Sequence, residues 1–479
     1  MIIRMNRGKV FQILTAVVVN LQCSLFGLSM SWTSPAISIL QSADTPLSIG
    51  PLSTEQISLM TALMYLGCVL GAILSGWLVN SAGRRNSMMI LMIPQFVGVI
   101  LILMTRNITC LYAFRILSGI SGATSGIAPI FVSEISDKSL RGPNGNLRGI
   151  TYNLGCFFGK ILTSSFGYFA TPTATFLLII ITLGIFLKLP DTPHYFLMKE
   201  RPEEAKKSLK FYRGIPESHS MPPKVKEEFS ELKNSPSLIN QNVPLSIEDF
   251  KGSSTCLAIV ITFFVTCNAN FTGMRLITGY TETLLHESGS IMDTAIIDGA
   301  LTGILIIVAI FTIAIVKIFG NRKVLMSCYF IVFVAEAIAG VHYYLSEITV
   351  DMADYWWIIS LCITASLAFT GNGIVALSYV IPSEILPTKI RGFVFSAFSV
   401  LSWIIAFLLT EFYLPLANFW GHSVWMWLFA VFCFSGIIFT YFFIPETKDK
   451  TFDEIVELLK DKSKLNWKRT LNISKDSDI

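Results

Sequence analysis

Twelve stretches of this chain are apolar over a length that can cross a bilayer, and no other feature limits its fold so tightly. They run approximately over 10–31, 55–79, 88–105, 109–132, 144–167, 172–189, 254–282, 293–316, 324–345, 353–380, 393–413 and 423–444. A hydrocarbon core about 30 Å thick needs about 20 residues of helix to span it. Lipid offers the backbone no hydrogen bonds, so each run has to satisfy its own amides and carbonyls, which a helix does. Composition agrees: 53% of residues are hydrophobic and 14% are charged, against about 25% charged in a soluble domain. The expected fold class is an all-α membrane protein with twelve transmembrane helices. The first run is expected to remain as a helix. It is long for a signal peptide, ends in Trp32-Thr33-Ser34-Pro35 and lacks a small-x-small cleavage pattern.

Charge orients the runs. With both termini in the cytoplasm, the inside segments collect all but four of the 36 Lys and Arg. The exceptions are Arg106 on the opposite side and Arg115, Lys160 and Arg275 within spans. A bias of that kind is the positive-inside signature. The net charge of +4 is therefore a topology signal next to anionic lipid, and it gives no reason to expect a nucleic-acid partner. Nine cysteines, none in a CxxC pair, read as small core residues, with no metal site or disulfide expected.

The chain repeats itself. Ser133-Glu134-Ile135-Ser136-Asp137-Lys138-Ser139-Leu140-Arg141-Gly142 has a near twin in Ser383-Glu384-Ile385-Leu386-Pro387-Thr388-Lys389-Ile390-Arg391-Gly392. Gly83-Arg84-Arg85 corresponds to Gly320-Asn321-Arg322, and Pro190-Asp191-Thr192 to Pro445-Glu446-Thr447. The offsets are 250, 237 and 255 residues. One six-span unit is thus used twice, a plan found in secondary transporters. The expected divisions are a first half over 1–189, a cytoplasmic linker over 190–252, a second half over 253–444 and a cytoplasmic tail over 445–479. In the linker, Pro202 to Arg213 and Lys224 to Leu232 read as short helices. Phe452, Ile455, Val456 and Leu459 give the tail an amphipathic start.

Each repeated motif falls at a cytoplasmic helix end. A carboxylate and a guanidinium there can pair bidentately. Glu134 is expected to meet Arg141, with Arg84 and Arg85 as further partners. Glu384, Arg391, Arg322 and Lys323 are the counterparts in the second half. Such pairs would hold the inner mouth shut, favour the outward-facing state and break when the mouth opens. The plain alternative is a set of static surface ion pairs worth about 0–1 kcal/mol each.

Jointly these motifs resemble the sugar porter family of the major facilitator superfamily, with a pattern similar to the insect facilitated trehalose transporters. The residues that carry the likeness are Gly76-x-Leu78-x-Asn80-x-x-Gly83-Arg84-Arg85, Arg115-x-x-x-Gly119, Ser133-Glu134 with Arg141-Gly142, Pro190-Asp191-Thr192-Pro193, Ser383-Glu384 with Arg391-Gly392, and Pro445-Glu446-Thr447-Lys448. Trp32-Thr33-Ser34-Pro35 is the insect-like element, and the likeness extends over about 4–450. It implies the major facilitator fold, two six-helix pseudo-repeats that rock about a central site. It also implies cytoplasmic gate roles for Arg84, Arg85, Glu134, Arg141, Asp191, Arg322, Glu384, Arg391 and Glu446.

The departures gather where a sugar would sit. The family's Gln-Gln pair and Asn in span 7 fall here on Ala269-Asn270 and Arg275. Its Gln in span 5 falls on Gly149, and its Asn in span 8 on Leu305. Its Gly-Pro-x-Pro-Trp in span 10 reads Val375-Ala376-Leu377-Ser378-Tyr379, and Asn-Trp in span 11 becomes Ser402-Trp403. Sugar recognition needs amides for hydroxyls and a flat apolar face. Asn153, Asn270, Thr272, Asn372, Tyr379 and Trp403 are the candidates left to line a cavity, against ordinary interhelical bonding for the Asn and Thr. Arg275 is expected either to touch a polar or anionic solute or to pair with Glu411, Asp298 or Glu282. Lys160, nearer the outer end, is expected to snorkel.

Proton-coupled members of the family place an Asp at the position of Ser29, so the resemblance implies facilitated diffusion here. Gly155 to Lys160 mimics a phosphate loop, but it is one residue short and has no Ser or Thr after the lysine. The reading is a facilitator in the plasma membrane, with a sugar such as trehalose or a hexose as its solute and the lipid bilayer as its surroundings. It makes and breaks no bond, is not an enzyme, uses no cofactor and works as a monomer. The alternatives left open are a receptor-like relative that no longer transports and a facilitator of a small organic anion anchored on Arg275.

Overall fold

The computed structural model describes residues 7–137, 140–216, 218–234, 246–289, 294–348, 352–448, 450 and 454–459. Among the described residues the chain is helical, with no strand. The first part holds α1 (Arg7–Ser31), α2 (Thr33–Gln41), α3 (Thr54–Ser81), α4 (Arg84–Met104), α5 (Ile108–Gly122), α6 (Thr124–Ile135), α7 (Arg141–Phe166) and α8 (Ala170–Phe186). Three short helices follow: α9 (Pro193–Met198), α10 (Pro202–Tyr212) and α11 (Pro223–Lys233). The remainder comprises α12 (Ser253–Phe271), α13 (Met274–Glu287), α14 (Thr294–Phe319), α15 (Asn321–Glu347), α16 (Trp356–Phe369), α17 (Ala376–Ile385), α18 (Thr388–Trp420) and α19 (His422–Phe442).

Ten helical stretches among the described residues are long and apolar enough to cross a bilayer, and Ala170–Phe186 is a shorter apolar helix. The twelfth crossing is α7, whose first turns carry Arg141, Asn144, Asn146 and Arg148. Several helices outrun the apolar stretches that mark them. α4 begins at Arg84 and α15 at Asn321, while α18 continues to Trp420. The apolar run reports the part in hydrocarbon; helix persists beyond it, where water and side chains satisfy the ends. Local signals set the starts. Ser53 and Gln56 form a reciprocal capping box at α3, and the Asn107 side chain caps α5.

Four crossings are interrupted: the first between α1 and α2, the fourth between α5 and α6, the seventh between α12 and α13, and the tenth between α16 and α17. Pro35 removes one amide just past Trp32 in the first. Gly273 adopts φ +74° between α12 and α13, a left-handed conformation that a side chain would strain. A π-helical turn over Thr370–Val375 joins α16 to α17. Irregular backbone survives at membrane depth only where protein covers it or where it lines a cavity. These are the first, fourth, seventh and tenth crossings, the opening member of each group of three, in keeping with a plan of repeated units.

Packing is tight where glycines permit. The backbones of α3 and α5 meet at Gly67 and Gly119, where a side chain on either residue would collide with the other helix's backbone. Gly155 and Gly159, the two glycines of the apparent phosphate loop, let α7 lie against Ser24, Leu28 and Ser31 of α1. The nine cysteines are free.

The apolar core is continuous at one end of the bundle and divided at the other. At the far end one cluster joins Trp32, Ile37 and Leu40 of the first crossing to Leu276, Tyr280, Leu284 and Leu285 of the seventh. At mid-depth Phe26, Met64 and Tyr65 pack with Trp403 and Ala406. At the end that carries the repeated charged motifs there are two separate clusters. One is built on Leu78, Met88, Ile135, Phe186 and Tyr212, the other on Val324, Ile385, Ile390, Ile444, Ile455 and Leu459. The expected linker helices are α10 and α11, and residues 454–459 form the start of the tail helix. Phe452 lies outside the described residues.

Gly67→Leu is expected to overpack the α3–α5 contact and to cost about 1–3 kcal/mol. Gly76→Leu on the same helix, where an added Cβ meets nothing within 4 Å, is the matched control. Thermal unfolding of the detergent-purified protein separates the two.

Candidate functional site: a central cavity and two charged clusters

The first charged cluster is assembled from the ends of α4, α6 and α8. The Arg84 guanidinium donates to Glu134 Oε1 from Nη2 at 2.9 Å and from Nε at 3.1 Å. Thr192 Oγ1 donates to the other oxygen, Oε2, at 2.5 Å. Arg84 is only 4% exposed, and the face of Tyr195 lies 5.8 Å away. The carboxylate of Asp191 sits at the start of α4 and accepts the backbone amides of Arg84 and Arg85 at 3.1 and 3.2 Å. A carboxylate suits that position because the first amides of a helix lack partners and the end carries partial positive charge. Burial raises the Asp191 pKa against those same bonds. Arg85 does not pair with Glu134. It donates to the carbonyls of Phe186 and Leu187 at 2.8 and 3.1 Å and closes the end of α8.

The second cluster occupies the matching place and is weaker. Asn321 stands where the first half has Arg84, and its Nδ2 donates to Glu384 Oε2 at 2.9 Å and Thr447 Oγ1 at 3.0 Å. Arg322 behaves as Arg85 does, donating to the carbonyl of Tyr441 near the end of α19 at 2.5 Å. Glu446, the counterpart of Asp191, lies beside Gly320, with Oε1 accepting the Lys448 amide at 3.3 Å and Oε2 buried without a hydrogen-bond partner. Arg391 donates to the carbonyl of Leu386 at 2.9 Å. The expected pairing of Glu384 with Arg391 or Arg322 is absent because both guanidiniums are taken by helix-end carbonyls. The Arg141 side chain lies outside the described ones. Each cluster is closed within its own half; among the described residues no ion pair joins one to the other.

A cavity of about 20 Å³ lies between the halves, room for roughly one water. Its walls come from α7 (Tyr152, Asn153, Cys156, Lys160), α13 (Met274, Thr278), α14 (Thr302, Leu305) and the tenth crossing (Leu367, Gly371, Asn372). Asn153 Nδ2 donates across the halves to Asn372 Oδ1 at 3.3 Å, and Asn372 Nδ2 donates to the Leu305 carbonyl at 3.3 Å. Trp403 stacks with Tyr65 and meets Phe26 edge-on, in a cluster against which the cavity-lining Tyr152 also packs.

Of the candidates read from the sequence, Asn153 and Asn372 meet at this cavity. Trp403 is not among the cavity walls but packs in the cluster that Tyr152 joins, with the Arg275 guanidinium 4.0 Å from its ring centroid. Tyr379 sits nearer the charged end, under the guanidinium of Arg148 at 5.4 Å. Asn270 and Thr272 are elsewhere. Asn270 exchanges hydrogen bonds with Ser402 at 2.8 and 3.2 Å, and Thr272 bonds back to the Ala269 carbonyl at the break before Gly273. Both are fully buried in helix packing.

Arg275 pairs with none of the acids proposed for it. Its charge rests on the Trp403 ring, and Nη1 is buried without a hydrogen-bond partner. Asp298 is occupied instead by Lys160. The two form an ion pair with each side chain 3% exposed, so Lys160 does not snorkel. The apolar pattern of α7 and α14 placed both residues within spans, but nothing in either pattern shows that they face one another. Arg115, also buried, donates to the carbonyls of Ser29 at 2.9 Å and Met60 at 3.1 Å. Ser29 Oγ accepts from Gln95 Nε2 at 2.8 Å.

Residues 15–459 match the family described as "Sugar (and other) transporter". A facilitated trehalose transporter of Bombyx mori is 28% identical over 480 residues, covering 98% of this chain and 90% of that protein. One of Polypedilum vanderplanki is 25% identical over 93% and 87% of the two chains. The inward-open xylose transporter XylE of E. coli superposes with a TM-score of 0.76 at 17% identity, over 93% of this chain and 99% of that one. XylE bound to 6-bromo-6-deoxy-D-glucose, a major facilitator superfamily protein, gives 0.72 at 18% identity, over 95% and 100%. The fold is that of this superfamily.

The unequal clusters predict unequal costs. Arg84→Gln strands the carboxylate of Glu134 and is expected to destabilise the protein by about 3 kcal/mol or more. Asn321→Ala removes a neutral donor and is expected to cost about 1–2 kcal/mol. Thermal denaturation in detergent, run in parallel on both variants, ranks them.

Proposed function

Because this chain belongs to the sugar (and other) transporter family, we propose that it carries a sugar, trehalose or a hexose, across the plasma membrane by facilitated diffusion. The protein is multi-pass, and on this reading both termini and the charged end face the cytoplasm, as the Lys and Arg bias favours. It works as a monomer, since one chain holds both walls of the cavity.

The observation that carries the proposal is the amide-lined cavity between the halves. Asn153 and Asn372 supply a donor and an acceptor from opposite sides, which is what a polyhydroxylated neutral solute needs. Trp403 and Tyr65 supply a flat apolar face nearby. At about 20 Å³ the cavity is far below the roughly 300 Å³ of an occupied ligand pocket. Loading therefore requires the halves to part. The apolar seal is continuous at the outer end and divided at the cytoplasmic end, so the form described is outwardly shut. Transport then consists of exchanging which end is sealed.

The charged clusters are assigned to the cytoplasmic gate on this reading. Arg84, Arg85, Glu134, Asp191, Arg322, Glu384, Arg391 and Glu446 hold the helix ends of each half rigid, and Arg141 completes the set. With the inner seal divided, Arg84–Glu134 and Asn321–Glu384 remain bonded within their own halves, so these pairs do not break on inner opening, contrary to the expectation from the sequence. On this reading, contact between the two clusters belongs to the inwardly shut form.

Coupling to protons has no carrier at the position of Ser29. That serine is hydrogen-bonded to Gln95, and its carbonyl accepts from Arg115. Neither serine nor glutamine titrates in the physiological range. Uptake of labelled trehalose and glucose into proteoliposomes is expected to saturate and to be indifferent to an imposed pH gradient. Flux that collapses with an uncoupler would contradict the facilitated mechanism, and no saturable sugar flux at all would contradict the substrate. Asn153→Ala is expected to weaken sugar affinity by about tenfold, the loss of one or two hydrogen bonds, with the same uptake assay as readout.

A further inference from the structure

We propose that Lys160 is a solute-contacting residue and that its ion pair with Asp298 is the latch that closes the outer end of the cavity. The inference rests on the sugar-carrier reading above for the identity of the solute. The latch itself rests on geometry alone.

Lys160 lies on α7 and Asp298 on α14, on opposite sides of the interface between the halves. Each residue is 2% exposed, and the two form a direct ion pair. Ser34 of α2 donates to the second carboxylate oxygen of Asp298 at 3.3 Å. The same hydroxyl accepts the backbone amide of Glu282 on α13 at 3.0 Å. One polar chain thus ties α2 and α7 of the first half to α13 and α14 of the second. Of these helices α2, α13 and α14 also contribute to the outer apolar seal, so the network adjoins the closure and does not lie on a wet surface.

Lys160 also lines the cavity, together with Asn153, Thr278, Thr302 and Asn372. Asn153 precedes it by seven residues on α7, two turns along one helix face. Two features follow from this double position. An ion pair buried in a low-dielectric interface is costly to break by removing one partner, because the other is left as an uncompensated charge. When the halves part at the outer end, water reaches both groups and that cost falls. The pair therefore favours the outwardly shut state without locking it irreversibly.

The pair also filters solutes. A sugar hydroxyl both donates and accepts, so it can accept from the Lys160 ammonium and donate to the Asp298 carboxylate in the same pose. An anion meeting Lys160 would face the carboxylate of Asp298, and a cation the reverse. A neutral polyol is the class that exchanges with this pair without leaving a charge unmatched.

The test uses the full-length protein in lipid nanodiscs. Spin labels are introduced as unnatural amino acids at Gln41, the end of α2, and His286, near the end of α13, which leaves the native cysteines in place. Wild type is expected to show a short outer distance without ligand. Asp298→Asn is expected to shift the population ratio of long to short distance by roughly tenfold, since it strands the Lys160 ammonium. The paired apolar variant Lys160→Met with Asp298→Leu is expected to restore the short distance, because no charge is left to hydrate. That second variant covers the case in which Asp298→Asn fails to fold. Trehalose and glucose binding, followed by tryptophan fluorescence and by calorimetry, is expected to be roughly tenfold weaker in the paired apolar variant although its outer end is shut.

A wild-type distance distribution in Asp298→Asn overturns the latch. Were Asp298→Asn misfolded and the paired apolar variant opened at the outer end, the latch would fall as well, since closure would not depend on satisfying the charge. Wild-type sugar affinity in the paired variant overturns the contact. If wild type itself binds neither sugar, the contact falls together with the substrate reading, while the distances still decide the latch.

Discussion

A peptide group in lipid has to find its hydrogen bond inside the protein, and the architecture of this chain follows from how it meets that demand. Eight of the crossings are continuous helices that satisfy it locally. The other four are interrupted, at Trp32, Ala123, Thr272–Gly273 and Thr370–Val375. Each break is covered by other helices. Trp32 packs against Phe114 and Tyr168, and the Thr272–Gly273 turn is covered by Phe429. The breaks free helix segments to tilt independently. At the seventh crossing this lets α13 join the continuous apolar cluster at the end away from the charged motifs while α12 stays in the core of its own half.

The two halves use one plan with different strengths. Both place an arginine on the last carbonyls of their sixth helix, Arg85 in the first half and Arg322 in the second. That interaction is repeated because both halves end the helix the same way. Beside it the halves diverge. Arg84 gives Glu134 a buried charged partner, and Asn321 gives Glu384 a neutral one. Asp191 reaches the amides at the start of α4, whereas Glu446 lies against Gly320 with one oxygen unsatisfied. The first half is therefore the more rigid platform at the charged end. The linker adds to this: Arg213 bonds Asp137 at 2.9 Å, Glu228 at 2.5 Å and the Ile135 carbonyl at 2.7 Å, fastening α10 and α11 to the end of α6.

Among the described residues Arg115 and Lys160 are buried within spans and Arg275 is partly buried there, and each is stabilised differently. Arg115 relies on backbone carbonyls, Lys160 on a carboxylate across the interface, and Arg275 on an indole face. The Lys160 ion pair crosses between the halves, so it depends directly on how the halves sit. Arg115 bonds within the first half, and Arg275 and Trp403 lie in the same half. Among these cations, Lys160 is thus the one whose charged partner lies across the interface.

Much of this was legible from residue order. Twelve apolar runs, the basic bias and the paired motifs determined an all-helical, twice-repeated membrane carrier, because bilayer thickness and backbone satisfaction leave few alternatives. The start of α10 could be read from Pro202, since proline is preorganised for a first helical turn, while α11 starts at Pro223, one residue before the Lys224 expected. What the sequence could not settle was which polar side chains face one another. Asn270 and Asn153 are the same residue type at similar depth, yet one bonds Ser402 in packing and the other reaches Asn372 across the cavity. The sequence reads Asp298 only as a possible partner of Arg275, and Lys160 as a snorkelling residue; rotation of α7 and α14 about their axes pairs Asp298 with Lys160 instead. Helix periodicity assigns a residue to a face, but the partner of that face is fixed by the tilt and rotation of another helix hundreds of residues away, and only the assembled bundle sets those.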